Sequence, residues 1–169
     1  QFVSSTLAAS AGFALPMIVP SSSFGQDGAV APGNRITLGC IGVGGMGTDN
    51  MKNFLKLPEC QVVAVCDAYV DRQQRAKEIV DAQYGSSDCA MYGDFREVLA
   101  RDDIDAVMIA AQDHWHALIA TAAAKAGKDM YCEKPLGVSV EQSRAIVDAV
   151  RKNNRVFQTG TWQRSLEPF

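Results

Sequence analysis

Apolar stretches of strand length alternate with amphipathic stretches of helix length from residue 35 to residue 160. The first apolar stretch follows Arg35 and leads into a glycine-rich turn and a helix, and the second ends at Asp67. Strands that alternate with helices at this spacing form parallel sheets, because each right-handed crossover returns the chain to the same sheet. The chain is therefore predicted to be an α/β protein with a doubly wound parallel sheet.

The pattern continues to the end of this region. Short strands are predicted at residues 89–92, 103–111, 128–132 and 155–160, with a helical turn near Phe95. Ser139 is expected to cap the last helix, and Gly127 to lie just past the end of the helix before it. The expected buried faces of the three longer helices comprise Ala76, Ile79, Val80, Gln83 and Tyr84; Leu118, Ile119, Ala122, Ala123 and Ala126; and Ile146, Val147 and Val150.

The turn after the first strand carries the spacing Gly42-x-Gly44-x-x-Gly47. In a strand–turn–helix unit these glycines permit a tight turn, a close approach of the backbone to a pyrophosphate, and close packing of the helix on the strand. With the intervening Gly45 and Met46, they form the predicted phosphate-binding loop of a dinucleotide cofactor.

Asp67 ends the second strand, where its carboxylate can accept hydrogen bonds from the adenosine ribose hydroxyls. NAD is therefore expected rather than NADP, because Asp67 would repel a 2′-phosphate and Ala68-Tyr69 supplies no adjacent cation. Arg72 is the nearby cation that opposes this preference.

Five polar clusters follow the predicted strands. The carboxyl ends of parallel strands share one edge of the sheet, and ligands bind at that edge where the strand order reverses. The clusters are the glycine loop, Asp67, residues 112–116, residues 133–135 and residues 162–164. We expect them to converge on one site.

The glycine fingerprint, Asp67, the DHWHA segment at residues 113–117 and Glu133-Lys134-Pro135 occur in this order. Together they resemble the N-terminal NAD(P)-binding Rossmann domain of the Gfo/Idh/MocA oxidoreductases, over about residues 34–165. The resemblance implies that Lys134 contacts substrate hydroxyl and cofactor, that Glu133 lies by the nicotinamide ribose, and that Pro135 fixes the turn. The role of Lys134 agrees with its chemistry, because an ammonium stabilises the alkoxide that develops as a hydride leaves carbon.

Other site residues are assigned from their positions. His116 matches the family histidine, and Ala111-Gln112 stands where relatives often have Thr-Pro, so this turn is expected to contact the nicotinamide side differently. Gln163 is predicted to reach the cofactor, and Arg164 the cofactor or the substrate, with a structural salt bridge as the alternative for Arg164. Trp115 and Trp162 either face the sugar or cover the sheet edge. No metal is expected, since His114 and His116 lack a third ligand.

The resemblance also implies a separate C-terminal domain that supplies the substrate pocket, an acid/base histidine and the contacts of a homo-oligomer. The chain is expected to be a fragment without it. The predicted function is NAD-dependent hydride transfer between nicotinamide and a hydroxyl of a sugar or polyol. The alternatives are an NAD-dependent glycoside hydrolase of the same fold, a non-catalytic nucleotide-binding module and a methyltransferase; Glu133-Lys134-Pro135 disfavours the last two.

Composition narrows the partners. The chain has 169 residues, 47% of them hydrophobic, and a net charge of −3, which suits one core and disfavours nucleic acid. The five cysteines show no short paired spacing and are interpreted as buried small residues rather than a disulfide framework.

Residues 1–33 are interpreted as an export signal and linker. They contain no Lys or Arg, and Pro16 and Pro20 interrupt their apolar stretch, which is too short for a membrane span. Gln1-Phe2-Val3 resembles the residues that follow the arginine pair of a twin-arginine signal, and residues 23–25 suit cleavage. A periplasmic or exported location is expected. A disordered leader or a lipid-anchored arm is the alternative, and the protein is cytoplasmic if the leader is not a signal.

Overall fold

The computed structural model describes residues 30–165, and in that range the chain forms six strands and five α-helices. The strands are β1 (Ile36–Ile41), β2 (Cys60–Cys66), β3 (Ala90–Tyr92), β4 (Ala106–Ile109), β5 (Asp129–Cys132) and β6 (Phe157–Thr159). The helices are α1 (Gly45–Phe54), α2 (Val70–Tyr84), α3 (Phe95–Leu99), α4 (Asp113–Lys125) and α5 (Val140–Lys152).

All six strands lie in one parallel sheet with the order β3-β2-β1-β4-β5-β6. β1 is central, and its last residue Ile41 pairs with Cys66 on one side and Ile109 on the other. The strand order therefore reverses between β1 and β4, which is where a doubly wound sheet opens a crevice for a ligand. The predicted fold class is confirmed.

Two apolar layers cover the faces of the sheet. On one face, strand residues such as Cys40 and Val65 pack with Met51 of α1 and Val80 of α2. On the other face, Ile109 and its strand neighbours pack with α3, α4 and α5. Residues alternate between the two faces along β4 and β5, whereas in β2 Val63 and Ala64 pack in the same layer, where the register with β1 shifts. Both faces are buried, as expected for a parallel sheet.

The predicted helix ends are confirmed where the sequence carries capping residues. The Ser139 hydroxyl accepts a hydrogen bond from the Gln142 N–H at 3.3 Å, at the start of α5. Gly127 adopts a φ of 77° just beyond α4, in the left-handed region that glycine tolerates. Asp94 caps α3 in the same way as Ser139, by accepting from the Arg96 N–H at 2.9 Å.

The predicted buried face of α4 is partly wrong. Leu118 is 48% exposed and Ala126 is also exposed, whereas His116, Ala120 and Ala124 are buried together with the predicted Ile119 and Ala123. In a helix this rich in alanine, the close approach of α5 decides which small residues face inward. Hydrophobicity alone does not separate them.

The predicted strands are slightly too long. The stretch 103–111 forms a strand only at Ala106–Ile109, because Asp103 lies in a turn and Asp105 in the segment that links this turn to the strand. There the Thr37 hydroxyl lies within hydrogen-bond distance of two acceptors, the Asp103 carbonyl and the Asp105 carboxylate. The other three short strands also begin or end one or two residues inside their predicted limits.

Four of the five cysteines are buried, and Cys60 is partly buried; all five are free thiols. Burial raises the pKa of Cys60 and Cys89 to about 11, and that of Cys66 and Cys132 to about 12. The interpretation of the cysteines as buried small residues therefore holds, with Cys60 the least enclosed.

The predicted export signal and its cleavage position lie outside the described residues, of which only 30–33 fall in the segment 1–33. Between residues 30 and 165, no helix combines the length and the apolar composition needed to cross a bilayer.

Candidate cofactor and active site

The glycine loop between β1 and α1 is shaped by the neighbouring backbone. Gly42 has a φ of 81°, and a Cβ there would lie 2.6 Å from backbone atoms of Ala110 and Ala111 at the end of β4. A Cβ on Gly47 would overlap the Gly42 carbonyl oxygen. Only glycine fits at these two positions, so the helix starts directly against the strand.

The N-terminus of α1 is open to an anion. Gly44 is its N-cap, no side chain of the described residues caps it, and its first turn contains no acidic residue. The first N–H groups of a helix need partners, and the helix dipole favours negative charge there. The loop therefore fits the pyrophosphate of a dinucleotide.

Asp67 is fixed beside this loop. It is 8% exposed, and its two carboxylate oxygens accept from the Val43 N–H at 3.0 Å and the Tyr69 N–H at 3.1 Å. The Arg72 guanidinium lies 3.8 Å from the same carboxylate and 4.5 Å from the centre of the Tyr69 ring. Asp67 thus supplies a fixed hydrogen-bond acceptor at the end of β2.

A cleft of about 400 Å³ opens between the ends of β1, β2, β3 and β4. It contains the predicted Asp67, Ala111 and Gln112, together with residues that the sequence interpretation did not include. The additional residues are Gly93, Asp94, Phe95 and Arg96, and the cleft is also lined by Tyr69 and by Arg72, the cation expected near Asp67. Asp94 was the available signal for this third loop, because a capping residue directly after a strand marks the same edge of the sheet.

A second cleft, of about 270 Å³, lies beside the side chain of Lys134. It is lined by Met46 from the glycine loop, by Lys134, and by residues that follow β6. Those residues are Gly160, Thr161, Gln163 and Arg164. Lys134 is exposed, and among residues 30–165 no carboxylate pairs with its ammonium. The structure therefore brings Met46, Lys134, Gln163 and Arg164 together, as predicted.

His116 lies behind the clefts. It is 1% exposed, with Nδ1 2.5 Å from the Pro135 carbonyl oxygen and Nε2 2.8 Å from the Ala111 carbonyl oxygen. A neutral imidazole can donate to only one of these oxygens. The ring joins the turn after β4 to the turn after β5, so any effect of His116 on a cofactor acts through these turns.

Glu133 is also enclosed. It is 4% exposed and accepts hydrogen bonds from Asn50 and Tyr131 and from the Lys134 backbone. Burial, reinforced by Glu133, raises the pKa of Tyr131 to about 12, so the phenol keeps its proton and donates it. Glu133 therefore points into the domain, at the base of the turn that carries Lys134.

Trp115 and the two histidines of the DHWHA segment take separate positions. Trp115 lines the larger cleft, with its ring edge-on to Phe95 at a centroid distance of 6.4 Å, whereas His114 is exposed. The Trp162 side chain is not among those that the structure describes. In the described range, no three His, Cys, Asp or Glu residues are grouped as a metal site would require.

A 3-2-1-4-5-6 parallel sheet with an open glycine loop after β1 and a fixed acid after β2 defines a dinucleotide-binding domain. The family model GFO_IDH_MocA, described as an oxidoreductase family with an NAD-binding Rossmann fold, matches residues 36–161. The chain belongs to the Gfo/Idh/MocA oxidoreductase family.

Curated relatives include two kinds of enzyme. An inositol 2-dehydrogenase of Pseudomonas syringae pv. syringae is 36% identical over 127 residues, which cover 74% of this chain and 36% of the relative. An alpha-N-acetylgalactosaminidase of Shewanella oneidensis is 32% identical over 140 residues, which cover 80% of this chain and 30% of the relative. The chain thus spans about a third of the length of these relatives.

Solved structures agree with the fold. An NAD-binding protein from Listeria innocua is 30% identical with a TM-score of 0.67, over 78% of this chain and 35% of that one. A scyllo-inositol dehydrogenase from Lactobacillus casei, solved with NAD(H) and scyllo-inositol, has a TM-score of 0.71 at 24% identity. The match covers 79% of this chain and 38% of that one. The latter match shows the fold alone.

Proposed function

We propose that this chain is the cofactor-binding part of an NAD-dependent oxidoreductase that acts on a hydroxyl of a sugar or polyol. The observation that carries the proposal is the cleft shared by Lys134, the glycine-loop residue Met46 and the segment after β6. This cleft supports the proposal because, among residues 30–165, the Lys134 ammonium has no ion-pair partner and lies at the edge of the predicted cofactor site. The inositol dehydrogenase among the relatives supports the substrate class.

The residues that would hold NAD divide into groups. The N–H groups of the glycine loop would bind the pyrophosphate, Asp67 would accept from the adenosine ribose, and Ala111 and Gln112 would border the cofactor from β4. When bound, the cofactor supplies the hydride acceptor and donor. The remaining wall of the substrate pocket is assigned to a second domain, as the family resemblance implies.

Lys134 has one chemical task in this proposal. Oxidation of an alcohol removes a proton from oxygen and a hydride from carbon, so negative charge develops on the oxygen. An ammonium beside that oxygen lowers the barrier, and the effect is largest where the charge is already in place and poorly screened by water. Among the described residues, no carboxylate forms an ion pair with Lys134, so no partner offsets its positive charge before the substrate binds.

The second candidate is an NAD-dependent glycoside hydrolase, favoured by the alpha-N-acetylgalactosaminidase relative, which covers more of this chain than the inositol dehydrogenase does. Such an enzyme would use the same hydride step transiently. The full-length protein distinguishes the two candidates: the oxidoreductase accumulates NADH in proportion to product, whereas the hydrolase releases sugar with no net NADH. Absorbance at the nicotinamide band, followed alongside sugar release, measures both.

Lys134→Ala in the full-length protein tests the assignment. Removal of a preorganised charge beside the reacting oxygen is expected to lower kcat by about 100- to 1000-fold. The Kd for NAD should stay within about threefold, because phosphate and ribose are bound elsewhere.

Lys125→Ala is the matched control, since Lys125 is an exposed lysine at the end of α4. It should leave both quantities unchanged. Turnover of Lys134→Ala within about threefold of wild type would mean that Lys134 is not the catalytic residue.

A further inference from the structure

Glu133 is a buried carboxylate with neutral hydrogen-bond donors. Its Oε1 accepts from Asn50 Nδ2 at 2.9 Å and from the Tyr131 hydroxyl at 3.1 Å, and its Oε2 accepts from the Lys134 N–H at 3.2 Å. No Lys, Arg or His within residues 30–165 forms an ion pair with it. A carboxylate so enclosed is costly unless it is hydrogen-bonded, so each donor contributes to its position.

The groups around Glu133 come from three parts of the fold: α1, the end of β5 and the segment after β6. Asn50 is 83 positions from Glu133 and lies on α1, the helix that begins in the glycine loop. Gly160, after β6, leaves room for the carboxylate, since a Cβ there would lie 2.7 Å from Oε1. Glu133 thus joins α1 to the turn after β5 and to the chain after β6.

Asn50 provides the side-chain connection from the cofactor helix to this turn. Tyr131 and Lys134 lie within two positions of Glu133, so their hydrogen bonds are local and do not fix the turn relative to α1. The Tyr131 ring packs edge-on to Phe54 at a centroid distance of 5.6 Å, but that contact has no polar specificity. The Asn50 amide therefore supplies the polar contact between α1 and this turn, in addition to the backbone hydrogen bond from the Glu133 N–H to Ile109 in β4.

We propose that Asn50 is a positioning residue, which by donating to Glu133 holds the turn bearing Lys134 in a constant place relative to the cofactor loop. The catalytic part of this inference rests on the function proposed above for Lys134. Asn50 touches neither of the reacting groups in this scheme. It contributes by keeping the Lys134 ammonium at a constant position relative to the cofactor.

The first test compares variants of the full-length protein. Asn50→Ala removes the donor, and Asn50→Asp places a second carboxylate against Glu133. Loss of a hydrogen bond to a charged group is expected to lower kcat by about 10- to 100-fold, with the Kd for NAD within about threefold. In a Glu133→Gln background, Asn50→Ala should lower kcat by a further factor of less than about three, because the two residues act through one contact.

Asn53→Ala and Asn53→Asp are the matched controls. Asn53 lies one turn further along α1 and is exposed, and its side chain accepts a hydrogen bond from the Lys56 ammonium at 3.2 Å. Both substitutions should leave kcat within about twofold of wild type. An equal loss in the Asn53 variants would overturn the proposal, since it would then reflect the helix in general.

The second test needs no turnover. Cys132 is buried beside the turn, with its Sγ 3.5 Å from the Glu133 carbonyl oxygen, so alkylation of this thiol reports opening at the end of β5. In Asn50→Ala and Asn50→Asp, iodoacetamide should label Cys132 about tenfold faster, as mapped by peptide mass spectrometry. Cys40 in the central strand should keep its wild-type rate.

The outcomes separate the two proposals. Unchanged labelling of Cys132 in both variants overturns the positioning role, and so does equal acceleration at Cys40, which would signal global destabilisation. If the wild type oxidises no sugar or polyol, the proposed function fails, while the labelling of Cys132 still decides whether Asn50 holds the turn.

Discussion

Asp67 is held by backbone N–H groups on both carboxylate oxygens, so its negative charge stays at the cleft. Ribose hydroxyls would find a fixed acceptor there, whereas a 2′-phosphate would meet a fixed like charge. Arg72 lies 3.8 Å from this carboxylate and stacks on Tyr69, so the nearby cation already has a partner. The preference between NAD and NADP at this position therefore depends on two charges, the buried carboxylate of Asp67 and the half-exposed guanidinium of Arg72.

The full-length protein is expected to bind NAD more tightly than NADP. Asp67→Asn keeps the shape of the side chain and removes its charge, so the ratio of the Kd for NADP to the Kd for NAD should fall by about tenfold. Adding Arg72→Ala removes the cation that attracts a 2′-phosphate, so part of the lost preference for NAD should return. Titration of protein fluorescence with each cofactor measures these constants. Tighter binding of NADP by the wild type would contradict the expectation.

The first turn of helix α1 contains two glycines, Gly45 and Gly47, and only Gly47 packs closely against neighbouring backbone. A Cβ on Gly47 would overlap the carbonyl of Gly42, a backbone atom that cannot move without displacing β1, whereas a Cβ on Gly45 would have no atom within 4 Å. The first turn of α1 therefore contains one glycine that packing requires, Gly47, and one that packing does not require, Gly45. The two positions form a matched pair.

Gly47→Ala is expected to lower the free energy of unfolding by about 1–3 kcal/mol or more, because overpacking separates helix from strand. Gly45→Ala should be neutral or stabilising by up to about 1 kcal/mol, because alanine favours the helix. Urea unfolding of both variants measures the difference. Equal destabilisation by the two substitutions would show that the packing at Gly47 is not the cause.

The sequence predicts an element well when its signal is local. Gly42 to Gly47, Asp67 and the Ser139 cap follow from short spacings, and the structure places them as expected. Leu118 was assigned to the wrong face because the packing partner of α4 comes from another segment. The contact between Asn50 and Glu133 spans 83 positions, and no periodicity connects such residues.

At the scale of the whole molecule, the described loops after all six strands meet at one edge of the sheet. The glycine loop borders both clefts, since Gly42 and Gly44 line the larger one and Met46 the smaller. The convergence expected from the polar clusters is therefore present as two adjoining clefts. The loop at residues 93–96 was missed because β3 is only three residues long and carries a weak strand signal.

We also propose that the protein is exported and that residues 1 to about 30 are absent from its mature form, because an apolar stretch and small residues at 23–25 suit signal cleavage. Mass spectrometry of the natively produced protein, after cell fractionation, measures both the N-terminus and the location. An intact N-terminus in the cytoplasm would refute export.

The cysteines of the sheet bear on how long such a domain survives oxidation. Oxidation to sulfenic acid and disulfide exchange both start from the thiolate. With a pKa of about 12 for Cys66 and Cys132, on the order of one thiol in 100,000 is ionised at pH 7. Both sulfurs are also buried, so oxidation of Cys66 and Cys132 is expected mainly when the sheet opens.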